Sequence, residues 1–101
     1  MIRKHPKTLL VIVAEAVLEK NLVRDVRERG AQGWTVTEVH HAGREGVREG
    51  AWEADRTIEL KVICEEAVAD AIAEHVLQAY APNYSVAMWF SSVAVLRPER
   101  Y

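Results

Sequence analysis

Residues 33–52 read GWTVTEVHHAGREGVREGAW, and the fold turns on this stretch because it begins as a strand and ends as something that cannot continue as one. Residues 34–39, WTVTEV, carry the threonines and valines that suit a pleated backbone. After His41 the composition changes. Gly43, Gly46 and Gly50 alternate with Arg44 and Arg48, Glu45 and Glu49 stand beside them, and Arg56 closes the segment. Glycine lets the backbone reach positive φ and lie close to a ligand, while arginine offers planar forked donors suited to phosphate or carboxylate. Two readings stand side by side. One is a long solvated hairpin whose arginines pair with Glu45, Glu49 or Glu53 at the surface, where such pairs contribute roughly 0–1 kcal/mol. The other is a loop that closes over an anion.

The flanking sequence supplies the scaffold for either. Residues 8–14, TLLVIVA, form an apolar β-branched run that predicts a buried central strand. A helix follows: Leu18, Leu22, Val23 and Val26 recur at helical spacing, Glu19, Lys20, Arg24, Asp25, Arg27 and Glu28 occupy the opposite face, and Gly30 supplies a stop. Gln32 and Gly33 then turn the chain into the second strand. In the third strand, residues 57–64, Ile58, Leu60, Val62 and Cys64 alternate with Thr57, Glu59, Lys61 and Ile63, so one row faces a core. A second helix begins near Glu65, with a buried stripe of Val68, Ala71, Ile72, Val76, Ala79 and Tyr80, and ends at Pro82 and Asn83. Residues 86–96 form a last apolar strand, with Ser91 and Ser92 as candidates to bend or interrupt it. The tail, residues 97–101, is short and polar.

The order strand, helix, strand, strand, helix, strand predicts an α+β chain, the split βαβ arrangement of a ferredoxin-like βαββαβ sandwich with both helices on one sheet face. The other face carries Glu59 and Lys61 in mid-strand beside apolar Ile63, which suits neither full burial nor full hydration. Packing against copies of itself would cover it, so a homo-oligomer is expected, dimer and trimer both remaining open.

Composition limits the function classes. With 101 residues, half of them hydrophobic, the chain is expected to be one domain, 1–101, burying about two-thirds of its unfolded surface. A net charge of −2 argues against a nonspecific nucleic-acid binder. The single cysteine, Cys64, excludes an internal disulfide and is expected to be a buried strand residue. A reducing, cytoplasmic compartment is the default expectation. No apolar run approaches the ~20 residues of a membrane span, and basic residues 1–7 lead into too short an apolar segment for a secretory signal. His40 and His41 would point to opposite faces of a continuing strand, so they form no chelating pair, and no metal site is expected.

The block Gly33-Trp34-Thr35-Val36-Thr37-Glu38-Val39, followed by Gly43-Arg44, resembles the second strand and the base of the T-loop in PII signal-transduction proteins. Asn83-Tyr84-Ser85 leading into a hydrophobic strand, together with the glycine and arginine loop, is similar to the PII-like branch linked to bicarbonate transport and carboxysomes. The resemblance implies a homotrimer with a long T-loop, about 42–56, between strands two and three, and three adenine-nucleotide sites between subunits. It implies that Val13, Thr35 and Ile63 lie near the adenine, and His41, Gly43, Arg44 and Gly46 near ribose and phosphates. Arg48 would be a further phosphate contact. Ala87, Met88 and Trp89 would supply backbone and apolar walls, with Arg97 or Arg100 reaching in from the adjoining subunit. Nucleotide binding would fix the loop in one of several shapes, and that shape would decide which partner docks, a bicarbonate transporter or carboxysome component being the implied partner. This is a switch rather than a catalyst, with no catalytic residue expected, and it would be cytoplasmic or associated with that membrane transporter or carboxysome.

Departures from the nitrogen-regulatory pattern refine the expectation. The family's glycine- and lysine-rich phosphate loop is replaced by Ala81-Pro82-Asn83-Tyr84-Ser85-Val86-Ala87, which favours AMP, ADP or a cyclic nucleotide over ATP with magnesium. Glu45 stands where that family has a glutamine needed for metal and 2-oxoglutarate. The loop has no tyrosine to uridylylate, and no paired-cysteine segment suggests a redox switch. Three functional classes follow: a nucleotide-responsive regulator of inorganic-carbon uptake or fixation, with bicarbonate a candidate second ligand; a small ferredoxin-like oligomeric enzyme of oxygenase or isomerase type, for which no acid, base or nucleophile set converges; and an RNA-binding module, disfavoured because residues 8–14 and 57–64 hold no stacking aromatic. Trp34, Trp52 and Trp89 are expected to pack, Trp52 being the one placed to anchor a partner.

Overall fold

The computed structural model describes residues 1–40 and 56–101. Strand β1 (His5–Glu15) passes through a single 3-10 turn (Ala16–Leu18) into helix α1 (Glu19–Glu28). Strands β2 (Thr35–Val39) and β3 (Thr57–Cys64) follow, then helix α2 (Glu66–Ala79) and strand β4 (Val86–Val95), with a closing 3-10 turn at Pro98–Arg100. The sheet order is β2-β3-β1-β4, every neighbouring pair antiparallel. This is the ferredoxin-like βαββαβ arrangement that the sequence predicts.

One face of the sheet carries the core. Leu10, Ile12 and Ala14 of β1 and Ile58, Leu60, Val62 and Cys64 of β3 pack with Leu18, Leu22 and Val26 of the first helical segment and Ala69, Ile72, Val76 and Tyr80 of the second. The alternation in β3 is complete, as its period-2 pattern requires. In α2 the buried stripe differs from the expectation: Ala69 and Ala73 face inward, whereas Ala71 and Ala79 are exposed. Alanine lies all round this helix, so the larger Ile72 and Val76 fix its rotation, and Ala69 and Ala73, three residues before each, share their face. The Cys64 thiol is buried, and burial, with Glu65 adding and Lys7 opposing, pushes its pKa up, away from nucleophilic reactivity.

Helix α1 stops where the sequence places its glycine. Gly30, at φ +109°, donates to the Arg27 carbonyl at 3.1 Å, and Ala31 donates to the Val26 carbonyl at 3.0 Å, the paired bonds of a Schellman cap. A Cβ at Gly30 would meet Val68 at only 3.5 Å, ordinary contact, so glycine is required for its backbone angle rather than for space.

Strand β1 is longer than the apolar run suggests because residues 5–7 pair with β4 alone: the β3 register begins at Thr8. One edge is open there, and Pro6, which has no N–H to give, is tolerated. Strand β4 runs without interruption through Ser91 and Ser92, which pair with Leu9 and Thr8; the expected bend is absent because the ladder to β1 holds the serines in register.

The second face of the sheet is partly dry. Val11 and Val13 are 3% and 7% exposed, lying in register between Lys61 and Trp89 and between Glu59 and Ala87 respectively. Lys61 and Glu59 pair with each other at 3.1 Å, while Trp89 is about half exposed. Among the described residues, no helix is long and apolar enough to cross a membrane.

Two measurements check this description. Leu60→Ala, at a fully buried position, is expected to lower unfolding free energy by about 2–5 kcal/mol in urea titration. Gly30→Ala is expected to cost about 1–2 kcal/mol from the left-handed backbone alone, and an unchanged midpoint would contradict the cap.

Candidate functional site

The ends of all four strands nearest the β2–β3 connection meet at one end of the sheet. There β2 finishes at Val39, β3 starts at Thr57, β1 finishes at Glu15 and β4 starts at Val86. The two ends of the connection are clasped across its mouth: Arg56 Nε lies 3.3 Å from Glu38 Oε1, and the Arg56 carbonyl accepts the Ala16 N–H at 2.8 Å. Beside this mouth, Val13, Ala14, Glu15, Thr57, Ser85, Val86 and Ala87 line a hollow of about 70 Å³. Among the described residues its one formal charge is Glu15, whose Oε2 accepts the Ser85 N–H at 2.7 Å.

The turn that delivers Ser85 is held from behind. The Tyr80 carbonyl accepts the N–H groups of Asn83 and Tyr84 at 3.0 and 2.9 Å, and the Tyr80 and Tyr84 rings meet edge-on, 6.5 Å apart. Tyr80 in turn donates its hydroxyl to Asp25, the one buried charged residue described, 2% exposed on α1. The sequence places Asp25 on the solvent face, and the structure corrects this. Arg24 Nε and Nη2 reach its Oδ1 at 3.3 and 3.2 Å, Arg29 Nη1 donates to its main-chain oxygen at 3.2 Å, and His75 Nε2 lies 3.1 Å from its Oδ2. His75 also sits edge-on to the Tyr80 ring at 5.8 Å. The hydrogen bonds from Tyr80 and Arg24 explain the burial, because an unpaired carboxylate would not remain charged there. Burial pushes the Asp25 pKa up, but the hydrogen bonds from Tyr80 and Arg24 and the charges of His75 and Arg24 together outweigh it and hold the pKa below the usual carboxylate range. Burial first, then Asp25, pushes the Tyr80 hydroxyl up. The sequence offers one signal for this cluster: Asp25 is only three residues from Leu22 and next to Val26, at the edge of the apolar stripe.

The sequence-predicted site residues fall into five groups. Val13 and Ala87 are paired neighbours on the sheet face away from the helices and line the hollow. Trp89, Thr35 and Ile63 share that face, but Thr35 and Trp89 lie on the two outer strands with Lys61 and Val11 between them, roughly 14 Å apart at ordinary strand spacing. Ile63 sits a row further on, beside Leu9. Met88 pairs with Ile12 and packs against the core, so its side chain is not on that face. Arg97 and Arg100 lie beyond the far end of β4, roughly 30 Å along the strand, with Arg97 paired to Glu99 at 3.4 Å. His41, Gly43, Arg44, Gly46, Arg48 and Trp52 lie outside the described residues. His40 follows the last residue of β2 rather than continuing it. Among the described residues, no cluster of three or more His, Cys, Asp or Glu could hold a metal.

A larger open hollow, about 310 Å³, lies between β4 and the start of α2, lined by Thr8, Glu66, Asp70, Phe90, Ser91 and Ser92. It is remote from the loop mouth, beside which the smaller cleft lies, so the smaller cleft is the better candidate for a ligand of the loop.

The family model described as nitrogen regulatory protein P-II matches residues 7–100. The chain belongs to the P-II family. A solved structure described as a PII-like signaling protein, from Thermus thermophilus, is 38% identical, with 99% of each chain covered and a TM-score of 0.85. CPII from Thiomonas intermedia, bound to ADP and bicarbonate, superposes with a TM-score of 0.86 at 21% identity, covering 99% of this chain and 98% of its own. A second structure of that protein, bound to ADP, AMP and bicarbonate, gives 0.86 and 21% with 99% and 97% covered. At that identity the likeness to CPII speaks for the shared fold. In this P-II chain, then, the connection between β2 and β3 is the family's T-loop, and the cleft lies at its base.

The Asp25 cluster yields a pH-dependent prediction. Its carboxyl titrates lower in the folded chain than in the unfolded one, so the stabilisation is complete above the unfolded value near pH 4 and is lost as pH falls through the folded value. Tyr80→Phe is expected to lower stability at pH 7 by about 1–2 kcal/mol. Asp25→Asn is expected to be destabilised at pH 7, with the gap to the parent chain shrinking below about pH 4. Urea titrations across that range check both, and a gap that does not change with pH contradicts the assignment.

Proposed function

We propose that this P-II chain is an adenine-nucleotide-responsive signalling protein, a homotrimer that binds AMP or ADP in clefts between copies and regulates inorganic-carbon uptake or fixation. The observation that carries the reading is the meeting of T-loop mouth, Val13 and the Ser85–Ala87 main chain at one end of a P-II sheet. Thr35 and Trp89 stand on opposite outer strands of one chain, and packing of copies through this face is the arrangement by which residues of both strands would wall a single cleft. Half-exposed Trp89 and the nearly dry Val11 and Val13 suit such packing. Arg97 and Arg100, remote from the cleft of their own chain, would reach that of a neighbour.

In this reading the cleft takes adenine and ribose, while His41, Gly43, Arg44, Gly46 and Arg48 of the T-loop gather the phosphates. Bound nucleotide favours the loop shape that contacts it, by as much as its affinities for the two shapes differ. The favoured shape presents or withdraws a docking surface for a partner, a bicarbonate transporter or a carboxysome component. Bicarbonate is the proposed second ligand, in line with the ADP- and bicarbonate-bound CPII of the same fold. The role is that of a switch rather than a catalyst.

Calorimetric titration with AMP, ADP, ATP and cyclic AMP, with and without bicarbonate, is expected to give a saturable isotherm at three sites per trimer for AMP or ADP. Arg48→Ala is expected to weaken binding by about tenfold, the scale of one lost charge-assisted hydrogen bond. Absence of heat with all four nucleotides would overturn the reading.

A further inference from the structure

The cleft at the T-loop base has a feature that a phosphate site would not be expected to have. Among its described polar groups is the Ser85 N–H, one residue before β4, a main-chain donor of the kind that receives a phosphate oxygen, and in this chain that N–H is already held by a carboxylate of the same chain. Glu15 Oε2 accepts it at 2.7 Å. Glu15 is the last residue of β1, two positions along the same face from Val13, and pairs with Thr57. All three line the hollow together with Ser85.

The turn gives Ser85 little freedom to move away. Asn83 and Tyr84 both donate to the Tyr80 carbonyl, Tyr84 packs edge-on against Tyr80, and the Tyr80 hydroxyl is fixed on buried Asp25. The end of β1 is fixed too, since Ala16 donates to the Arg56 carbonyl. The partner that the structure gives the Glu15 carboxylate among the described residues is this main-chain N–H. With adenine and ribose in the cleft and the phosphates at its mouth, a phosphate chain that reaches back to Ser85 must displace the carboxylate and then lie beside it, and each added phosphate charge makes that less favourable. A ligand that offers hydroxyl donors to the carboxylate, as a ribose does, meets no such repulsion.

We propose that Glu15 is the charge gate of this cleft: by holding the Ser85 N–H with its own carboxylate, it makes the site prefer adenine nucleotides with fewer phosphates. The proposal rests on the nucleotide reading above and adds the residue that sets the preference. It assigns Glu15 to specificity and not to affinity as such.

The test compares AMP and ATP affinities by calorimetry for the parent chain, Glu15→Gln and Glu15→Ala. Glu15→Gln keeps an acceptor for Ser85 and removes the charge; Glu15→Ala removes both. The parent chain is expected to bind AMP more tightly than ATP. In both variants the ATP-to-AMP affinity ratio is expected to rise by about tenfold, the effect of removing one like charge beside a phosphate. An unchanged ratio overturns the gate. A second readout is independent of nucleotide affinity: inorganic pyrophosphate titrated into ¹⁵N-labelled protein, with the Ser85 amide resonance followed. The resonance is expected to move in Glu15→Gln at pyrophosphate concentrations that leave the parent chain unmoved, and equal responses overturn the gate. Should no chain bind any nucleotide, the nucleotide reading fails by itself, and the pyrophosphate comparison still decides whether Glu15 excludes anions from Ser85.

Discussion

From Leu10 to Ala14, strand β1 is hydrogen-bonded along both edges and buried on both faces, and the arrangement of the rest of the chain follows from that constraint. Its helix-facing residues Leu10, Ile12 and Ala14 are at most 1% exposed and form the floor of the core, while Val11 and Val13 are nearly as dry on the other side. A strand so placed must be apolar throughout, and burial of each of its large side chains contributes about 1.5–3 kcal/mol. The antiparallel register from Thr8 to Glu15 against β3 and from His5 to Ala14 against β4 then fixes where the strand ends meet. Glu15 is thereby brought beside Thr57 and Ser85 at the mouth of the T-loop. The position of the cleft is a consequence of β1 pairing.

The helical layer supports the same end of the molecule by a different interaction. Asp25, Arg24 and Arg29 on and just after α1 meet His75 and Tyr80 on and just after α2, and through Tyr80 the buried carboxylate steadies the turn at residues 81–85. Packing of the two helices is thus linked to the geometry of the strand that enters the cleft. The ladder and the core together hold the four strand ends that converge beside the β2–β3 connection.

Much of the scaffold was legible in the sequence. The strict alternation of residues 57–64 located β3 to the residue, and Gly30 marked the end of α1 because only its backbone suits the cap. The family was legible in the contiguous block of residues 33–39. Other features were hidden for physical reasons. Asp25 reads as surface because it is charged and follows Arg24, and its donor Tyr80 and neighbour His75 are remote along the chain and are brought to it only by folding. Met88 could not be assigned a face because VAMWF at the start of β4 is apolar at every position, so it has no period to read; the register with Ile12 shows it pointing to the core. Glu15 is the first polar residue after a buried run, with nothing in the sequence to single it out, and its hydrogen bond to Ser85 joins positions 70 residues apart.

The central claim is that the end of the sheet at the T-loop base is where an adenine nucleotide is held. A crystal structure of the protein grown with ADP tests it most directly. The account predicts nucleotide density against Val13, Glu15 and the Ser85–Ala87 main chain, with a neighbouring copy completing the cleft. ADP bound at another surface, with this end of the sheet untouched, would contradict it.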